Sequence, residues 1–154
     1  MSEFKPLNPN FEARVRESFA RQSFMETLGA KLLKVGVGTV EIELSYRQDL
    51  CQQHGFFHGG VIGTMADNAG GYAAFSLMGA DDSLLTVEYK MNIVAPGDGD
   101  KLIAIGKVKR PGRTLTICEV DVMVEKGGQR KLCATALSTL MTMAGRTDGP
   151  KNKS

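Results

Sequence analysis

One long apolar segment, residues 61–78, constrains the fold of this chain more than any other feature. It is long enough to raise the question of a membrane span. However, it contains Asp67, Asn68, Ser76 and three internal glycines, which favours a buried helix of a soluble protein. A helix that is apolar on every side must be enclosed by other elements. The flanking segments therefore have to supply a structure that surrounds it.

Strand patterns lie on both sides of this helix. Residues 39–46 alternate between apolar and polar, which is typical of a half-buried antiparallel strand. Residues 31–37 would pair with this strand across a glycine-containing turn. Four more strands are predicted, with turns rich in glycine, proline and aspartate between them. These strands span 84–94, 101–109, 114–125 and 131–143, and the turns lie at 96–99, 111–112 and 127–128.

A short helical segment precedes the first strand. Asn8 and Pro9 predict a helix start, with Asn8 as the N-cap and Pro9 in the first turn. Apolar residues then recur at a spacing of four and form one stripe, so this helix must pack on another element. A second helical turn begins near Ser23 and ends at Gly29.

The predicted fold class is α+β: a six-stranded antiparallel sheet wrapped around a long central helix, with a short N-terminal helix. We divide the chain into an N-terminal helical segment at 1–29, one domain at 30–144 and a polar tail at 145–154 that is expected to be disordered. Such a sheet leaves strand edges unpaired, so association of two copies is expected.

Composition excludes several classes of function. A hydrophobic fraction of 42%, a charged fraction of 23% and a formal net charge of +2 suit a soluble domain. They indicate neither a nucleic-acid binder nor a polybasic membrane anchor. The N-terminal residues lack the apolar stretch of a signal peptide. Three widely spaced cysteines fit reduced thiols in a cytoplasmic protein.

The start of the central helix carries a pattern with chemical meaning, His58-Gly59-Gly60. The first turn of a helix has backbone N–H groups without partners inside the helix, and its dipole is positive at that end. Glycine allows a substrate oxygen to approach this backbone closely. The pattern therefore predicts an oxyanion hole, in which backbone N–H groups stabilise a developing negative charge.

Two polar residues flank this helix start. Asp67 lies about two turns into the apolar helix, where a carboxylate is costly unless it is paired. It is either a functional acid or a structural residue that is hydrogen-bonded across a dimer interface. Gln52 precedes Gly59 by seven residues and is either a ligand to a substrate or water, or an exposed loop residue.

These residues resemble the signature of a known family. Gly55-x-x-His58-Gly59-Gly60 followed by Asp67 is similar to the motif of the PaaI-like hotdog thioesterases, the phenylacetate-pathway type. The resemblance extends over about residues 30–143, including the strand at 86–96 and the turn at 110–115. It implies the hotdog fold and an acyl-CoA thioesterase that acts without cofactor or metal on an aryl or a medium- to long-chain acyl-CoA. It also implies a homodimer or a dimer of dimers.

The resemblance assigns catalytic roles to five residues. Asp67 would be the nucleophile or the general base, and the Gly59 N–H would polarise the thioester carbonyl. His58 would fix the helix start. Gln52 stands where the family often has Asn, and it keeps the amide on a longer arm. Thr86 matches a hydroxyl position that holds the attacking water near the acid, and it would come from the partner subunit.

Further residues would bind the substrate. Arg110 and Arg113 lie where the family's turn approaches the phosphates of CoA, although both are equally consistent with ordinary solvated charges. Gly60, Asn68 and Phe57 would contribute other contacts to the substrate or to CoA. An apolar acyl pocket has several candidate residues that are equally consistent with the core, namely Phe56, Phe57, Tyr72, Phe75 and Met78.

Other functions compete with this interpretation. Cys51, His54, His58 and Asp67 include both histidines and would be the candidate ligands of a metal site. Cys51 with a neighbouring histidine is a candidate nucleophile. A hotdog hydratase or dehydratase would use the same scaffold for another reaction, and a non-catalytic acyl-CoA binder would keep the pocket but not need Asp67.

Overall fold

The computed structural model describes residues 4–150 of the chain. Within these residues, three α-helices and six strands follow one another in the predicted order, with a 3-10 helix at Gln48–Leu50. The elements are α1 (Phe11–Ala20), α2 (Ser23–Leu28), β1 (Lys31–Gly36), β2 (Thr39–Ser45), α3 (Gly59–Phe75), β3 (Ser83–Ile93), β4 (Lys101–Arg110), β5 (Leu115–Lys126) and β6 (Gln129–Met143).

The six strands form one antiparallel sheet in the order β1-β2-β4-β5-β6-β3. Helix α3 lies against its inner face so closely that β4 needs a glycine. A Cβ atom on Gly106 would lie 2.2 Å from the Ala69 carbonyl oxygen, so no side chain fits there. The predicted α+β architecture, a sheet wrapped around a central helix, is confirmed.

The core lies between α3 and the sheet. Ile62 and Met65 of the helix are at most 1% exposed, and so are Ile42 and Leu102 of the facing strands. Burying one side chain of this size stabilises the folded state by about 1.5–3 kcal/mol. Because the neighbouring strands β2 and β4 share one core with the helix, burial of α3 stabilises the sheet on which it lies.

The N-terminal helix begins later than the sequence indicates. Asn8 was expected to be the N-cap, but α1 starts at Phe11 and Asn10 is its N-cap. The Asn8 Oδ1 atom instead accepts a hydrogen bond from the Asn10 backbone N–H at 2.9 Å. This local turn competes with the helix for the same backbone groups, so the expected start is wrong by two residues. Helix α2 ends as predicted at Gly29, whose φ is 78°.

Helix α1 fixes the connection between α3 and β3. The Arg14 guanidinium donates hydrogen bonds to the backbone carbonyls of Gly79 and Asp82. It also lies over the Phe75 ring, 4.2 Å from its centroid. These contacts hold the start of β3 against the end of α3, and thereby set how the two elements lie beside each other.

The C-terminal residues are partly attached to the domain. Residues 145–150 contain no helix or strand, but the Asp148 carboxylate lies 2.6 Å from the Arg21 guanidinium. The remainder of the expected disordered tail, 151–154, lies outside the described residues, as do residues 1–3 of the N-terminal segment. Among the described residues, no helix combines the length and apolar character needed to cross a bilayer.

Candidate active site

The start of α3 presents one free backbone donor. His58 is the N-cap, and its Nδ1 atom accepts a hydrogen bond from the Gly60 N–H at 2.8 Å. The His58 carbonyl accepts from the N–H groups of Val61 and Ile62. Within residues 4–150, the Gly59 N–H is therefore the first-turn donor left without an acceptor. The positive end of the helix dipole adds to its attraction for an oxyanion.

A small hairpin leads into this helix start. The His58 N–H donates to the Leu50 carbonyl at 2.9 Å, and the Gln52 N–H donates to the Phe56 carbonyl at the same distance. The turn is closed by Gly55, whose φ of 81° is left-handed and whose N–H donates to the Gln52 carbonyl at 2.9 Å. Gln52 is thereby held beside the residues that lead into α3.

Asp67 is half-buried and has a defined partner. The Thr86 hydroxyl donates a hydrogen bond to its Oδ1 atom at 2.8 Å. We expected this hydroxyl to come from the partner subunit, but Thr86 and Asp67 belong to the same chain. The reason is that β3 runs antiparallel beside α3, which places Thr86 next to the middle of the helix.

A cleft of about 230 Å³ opens beside this carboxylate. One side is apolar and is formed by the Tyr72, Phe75 and Leu84 side chains. The other side is polar and comes from the N-terminal helices and α3. Its residues are Ser18, Arg21, Gln22 and Asn68, with Asp148 from the C-terminal segment. The cleft can therefore receive a group with an apolar body next to Asp67.

The polar side of the cleft was missed in the sequence. The Asn68 amide donates to Gln22 Oε1 at 2.8 Å, and the Ser18 and Tyr72 hydroxyl oxygens lie 3.0 Å apart. The sequence predicted only that α1 packs on another element. No local signal places Ser18 and Gln22 beside Asp67, because they are more than forty residues away along the chain.

Several expected substrate contacts lie elsewhere. Phe57 is 2% exposed and packs on the Tyr46 ring, so it is a core residue and not a pocket wall. The Gly60 N–H is used by the His58 side chain. Arg113 lines a groove with Met78 beyond the other end of α3. Arg110 is exposed, and neither arginine reaches the Asp67 cleft within one chain.

Cysteine and metal chemistry receive no geometric support. Across residues 4–150, no three His, Cys, Asp or Glu side chains are grouped closely enough to hold a metal ion. The Cys51 thiol donates to the Arg47 carbonyl at 3.2 Å. Burial raises the pKa of Cys118 to about 12, and burial also raises the pKa of Cys133.

These burial effects predict the reactivity of the three thiols. Cys118 and Cys133 are fully buried and protonated at neutral pH, whereas Cys51 is partly exposed. In the native protein at pH 8, a maleimide reagent is expected to modify about one thiol per chain, and three after unfolding in guanidinium chloride. Mass spectrometry counts the adducts. Rapid native labelling of two or three thiols would contradict the burial of the other two.

Comparisons with known proteins identify the family and the fold of the chain. The family model described as the thioesterase superfamily matches residues 54–131. The structure of a thioesterase family protein from Silicibacter pomeroyi is 42% identical, with a TM-score of 0.84, and the match covers 86% of this chain and 97% of that one.

More distant proteins extend the comparison. The Escherichia coli PaaI protein from the phenylacetic acid degradation operon is 18% identical with a TM-score of 0.81, and the match covers 91% of this chain and 98% of PaaI. The 1,4-dihydroxy-2-naphthoyl-CoA hydrolase of Listeria monocytogenes is 23% identical over 108 residues, 70% of this chain and 86% of the hydrolase. The chain belongs to the thioesterase superfamily and is a hotdog-fold thioester hydrolase.

Proposed function

We propose that this chain hydrolyses aryl or medium- to long-chain acyl-CoA thioesters to the free acid and CoA. Asp67 acts as general base or nucleophile, and the Gly59 N–H stabilises the oxyanion. The observation that carries the proposal is the half-buried Asp67 carboxylate, which accepts a hydrogen bond from Thr86 at 2.8 Å and lies beside a cleft with apolar and polar walls. No hydrogen bond or ion pair from the described residues engages its Oδ2 atom, which can therefore act on a water or a thioester carbon.

The chemistry follows from these two groups. As a base, Asp67 takes a proton from a water that attacks the thioester carbon. As a nucleophile, it attacks that carbon itself. In both cases negative charge develops on the carbonyl oxygen, and a free N–H at a helix start is placed to stabilise it. Collapse of the intermediate breaks the C–S bond, and the CoA thiolate takes the proton that Asp67 removed from water or, in the nucleophile route, a proton from solvent. In the nucleophile route the acyl group remains on Asp67 as an anhydride, which a water molecule then hydrolyses to the free acid.

One chain alone does not complete this site. Asp67 follows Gly59 by eight residues in one helix, and eight residues span about 12 Å at 1.5 Å per residue. This separation is too large for both groups to touch the same thioester. The proposed site therefore combines Gly59 of one copy with Asp67 and Thr86 of a second copy.

Strand β3 is the surface where the second copy would bind. It is an edge strand, and its apolar side chains Leu85, Val87, Tyr89 and Ile93 are 44–57% exposed. An exposed, apolar strand edge is a template for pairing with another strand. Proteins that bury such an edge commonly do so in a two-fold symmetric dimer.

The positions of the two catalytic groups also define a register for this pairing. An added Cβ on Gly59 would contact Ile93 at 3.3 Å, whereas Asp67 contacts Thr86. Bringing Gly59 of one copy to Asp67 of the other places Ile93 opposite Thr86 of the second strand. Because a β-bulge lies between Thr86 and Glu88, the midpoint between Thr86 and Ile93 along the strand, and with it the two-fold axis of an antiparallel pair, falls at Lys90.

Mixing two inactive variants tests the shared site. Asp67→Asn removes the acid and Gly59→Pro removes the N–H. In a dimer of either variant alone, both active sites are therefore inactive. After subunit exchange at equal amounts, about half of the dimers are mixed and each has one intact site, so about a quarter of wild-type activity is expected. Thiol release after refolding the mixture measures this. Activity that stays at the level of the separate variants would contradict a site built from two chains.

Substrate range and reaction are tested together by measuring thiol release from a panel of acyl-CoAs. The panel contains short, medium and long chains with benzoyl, phenylacetyl, hydroxyphenylacetyl and naphthoyl groups, the last because one relative is a naphthoyl-CoA hydrolase. We expect saturable hydrolysis of aryl or medium- to long-chain members, with free acid and CoA as the products. A folded dimer that hydrolyses none of them would overturn the proposal and favour a binding protein.

A further inference from the structure

The Gln52 side chain is held by a neighbour in its own loop. Its Oε1 atom accepts a hydrogen bond from the His54 backbone N–H, and it lies 2.9 Å from the His54 Nδ1 atom. Both contacts come from one residue, two positions along the chain. Gln52 is therefore not a freely rotating loop side chain, and its amide has a defined orientation.

These contacts decide which end of the amide faces outward. A backbone N–H can only donate, so the Gln52 atom that meets it must be the carbonyl oxygen and not the amide nitrogen. That oxygen can only accept, so the His54 Nδ1 atom must carry a hydrogen. A carbonyl oxygen has two lone pairs, and His54 occupies both of them. The two Nε2 hydrogens have no acceptor within residues 4–150.

The His54 ring is itself held in place. It stacks on the Phe56 ring, with centroids 6.4 Å apart and planes inclined by 15°. The tight turn closed at Gly55 brings the two rings to the same side of the hairpin. This arrangement fixes the imidazole, which in turn fixes the amide.

We propose that His54 is a positioning residue that holds Gln52 as a hydrogen-bond donor to the thioester carbonyl oxygen, beside the Gly59 N–H. This proposal rests on the hydrolase function proposed above. The saturated Oε1 atom leaves Gln52 no acceptor for holding the attacking water. The backbone pairing of Gln52 with Phe56 and the bridge between Cys51 and Phe57 place Gln52 beside the segment that leads into Gly59.

Substitutions at Gln52 test the donor role. Gln52→Ala is expected to lower kcat by about tenfold to a hundredfold, which is the effect of losing one positioning contact. Gln52→Glu still accepts from His54 but presents a negative oxygen where the donor was, so we expect a larger loss than with alanine. If Gln52→Glu is as active as wild type, Gln52 acts as an acceptor and the proposal is wrong.

Substitutions at His54 test the positioning role. His54→Ala is expected to lower kcat by about tenfold with little change in KM, because the substrate pocket is intact but the amide is released. His54→Asn can place an N–H near the position of Nδ1 and is expected to restore most of the rate. Gln53→Ala, at the exposed residue between the two, is the matched control and should leave kcat unchanged.

A double-mutant cycle separates this idea from a structural role. If His54 acts through Gln52, the double variant His54→Ala/Gln52→Ala should be no slower than Gln52→Ala alone. Losses that multiply, or a wild-type kcat for His54→Ala, would overturn the proposal while the wild-type enzyme still hydrolyses acyl-CoA. A wild-type enzyme without activity on the whole panel would instead refute the hydrolase function itself.

Discussion

Replacing Asp67 with asparagine is expected to lower kcat by about 10²–10⁴, the usual contribution of a positioned acid or base. Asparagine has nearly the same volume, and its carbonyl oxygen can still accept the Thr86 hydrogen bond that now measures 2.8 Å. It can neither take a proton from water nor form an acyl intermediate. The loss should therefore fall on kcat, as measured by thiol release with the best substrate of the panel.

The control for this substitution is the same chemical change elsewhere. Asp121 is exposed on β5, and Asp121→Asn removes one negative charge from the surface of the sheet. We expect wild-type kcat for Asp121→Asn and an unchanged thermal midpoint within a few degrees for both variants. An Asp67→Asn enzyme that turns over at the wild-type rate would eliminate Asp67 as the acid and leave it a structural role.

The fold could be predicted because its determinants are local and periodic. The apolar run at 61–78 contains most of α3. The alternating segment at 39–46 has the same first residue as β2 and extends one residue beyond its end. Each pattern records which faces of an element are buried, and this is decided residue by residue along the chain. Asn8 was misjudged because its side chain accepts a hydrogen bond from the Asn10 backbone N–H in a turn before the helix. Asparagine favours both such turns and helix N-caps, so the residue type alone does not tell which of the two forms.

The candidate site could be predicted only in part. The spacing of His58, Gly59 and Asp67 lies within one helix and its start, so the sequence contains it directly. The subunit that supplies Thr86, the polar side of the cleft and the burial of Phe57 depend on how distant elements pack. Such packing is set by the whole core, so no short segment reveals it.

Removing the backbone N–H of Gly59 is expected to produce the second-largest decrease in kcat among these variants. Gly59 is the first residue of α3, a position where proline is favoured because its N–H would have no partner inside the helix. His58 has φ −63° and ψ 140°, which is the conformation that a following proline requires. Gly59→Pro should therefore fold normally and lose the oxyanion donor, lowering kcat by about 10²–10³.

Gly59→Ala supplies the matched control, because it adds a Cβ but keeps the N–H. That Cβ would lie 3.3 Å from the Ile93 Cδ1 atom, the end of a flexible side chain that can move by a few tenths of an ångström. We expect Gly59→Ala to retain most of its activity, with the difference in kcat between the two variants measuring the N–H alone. Equal losses in both would mean that crowding at Ile93, and not the missing hydrogen, inactivates the enzyme. In that case the oxyanion donor must be sought elsewhere, first at the Gln52 amide.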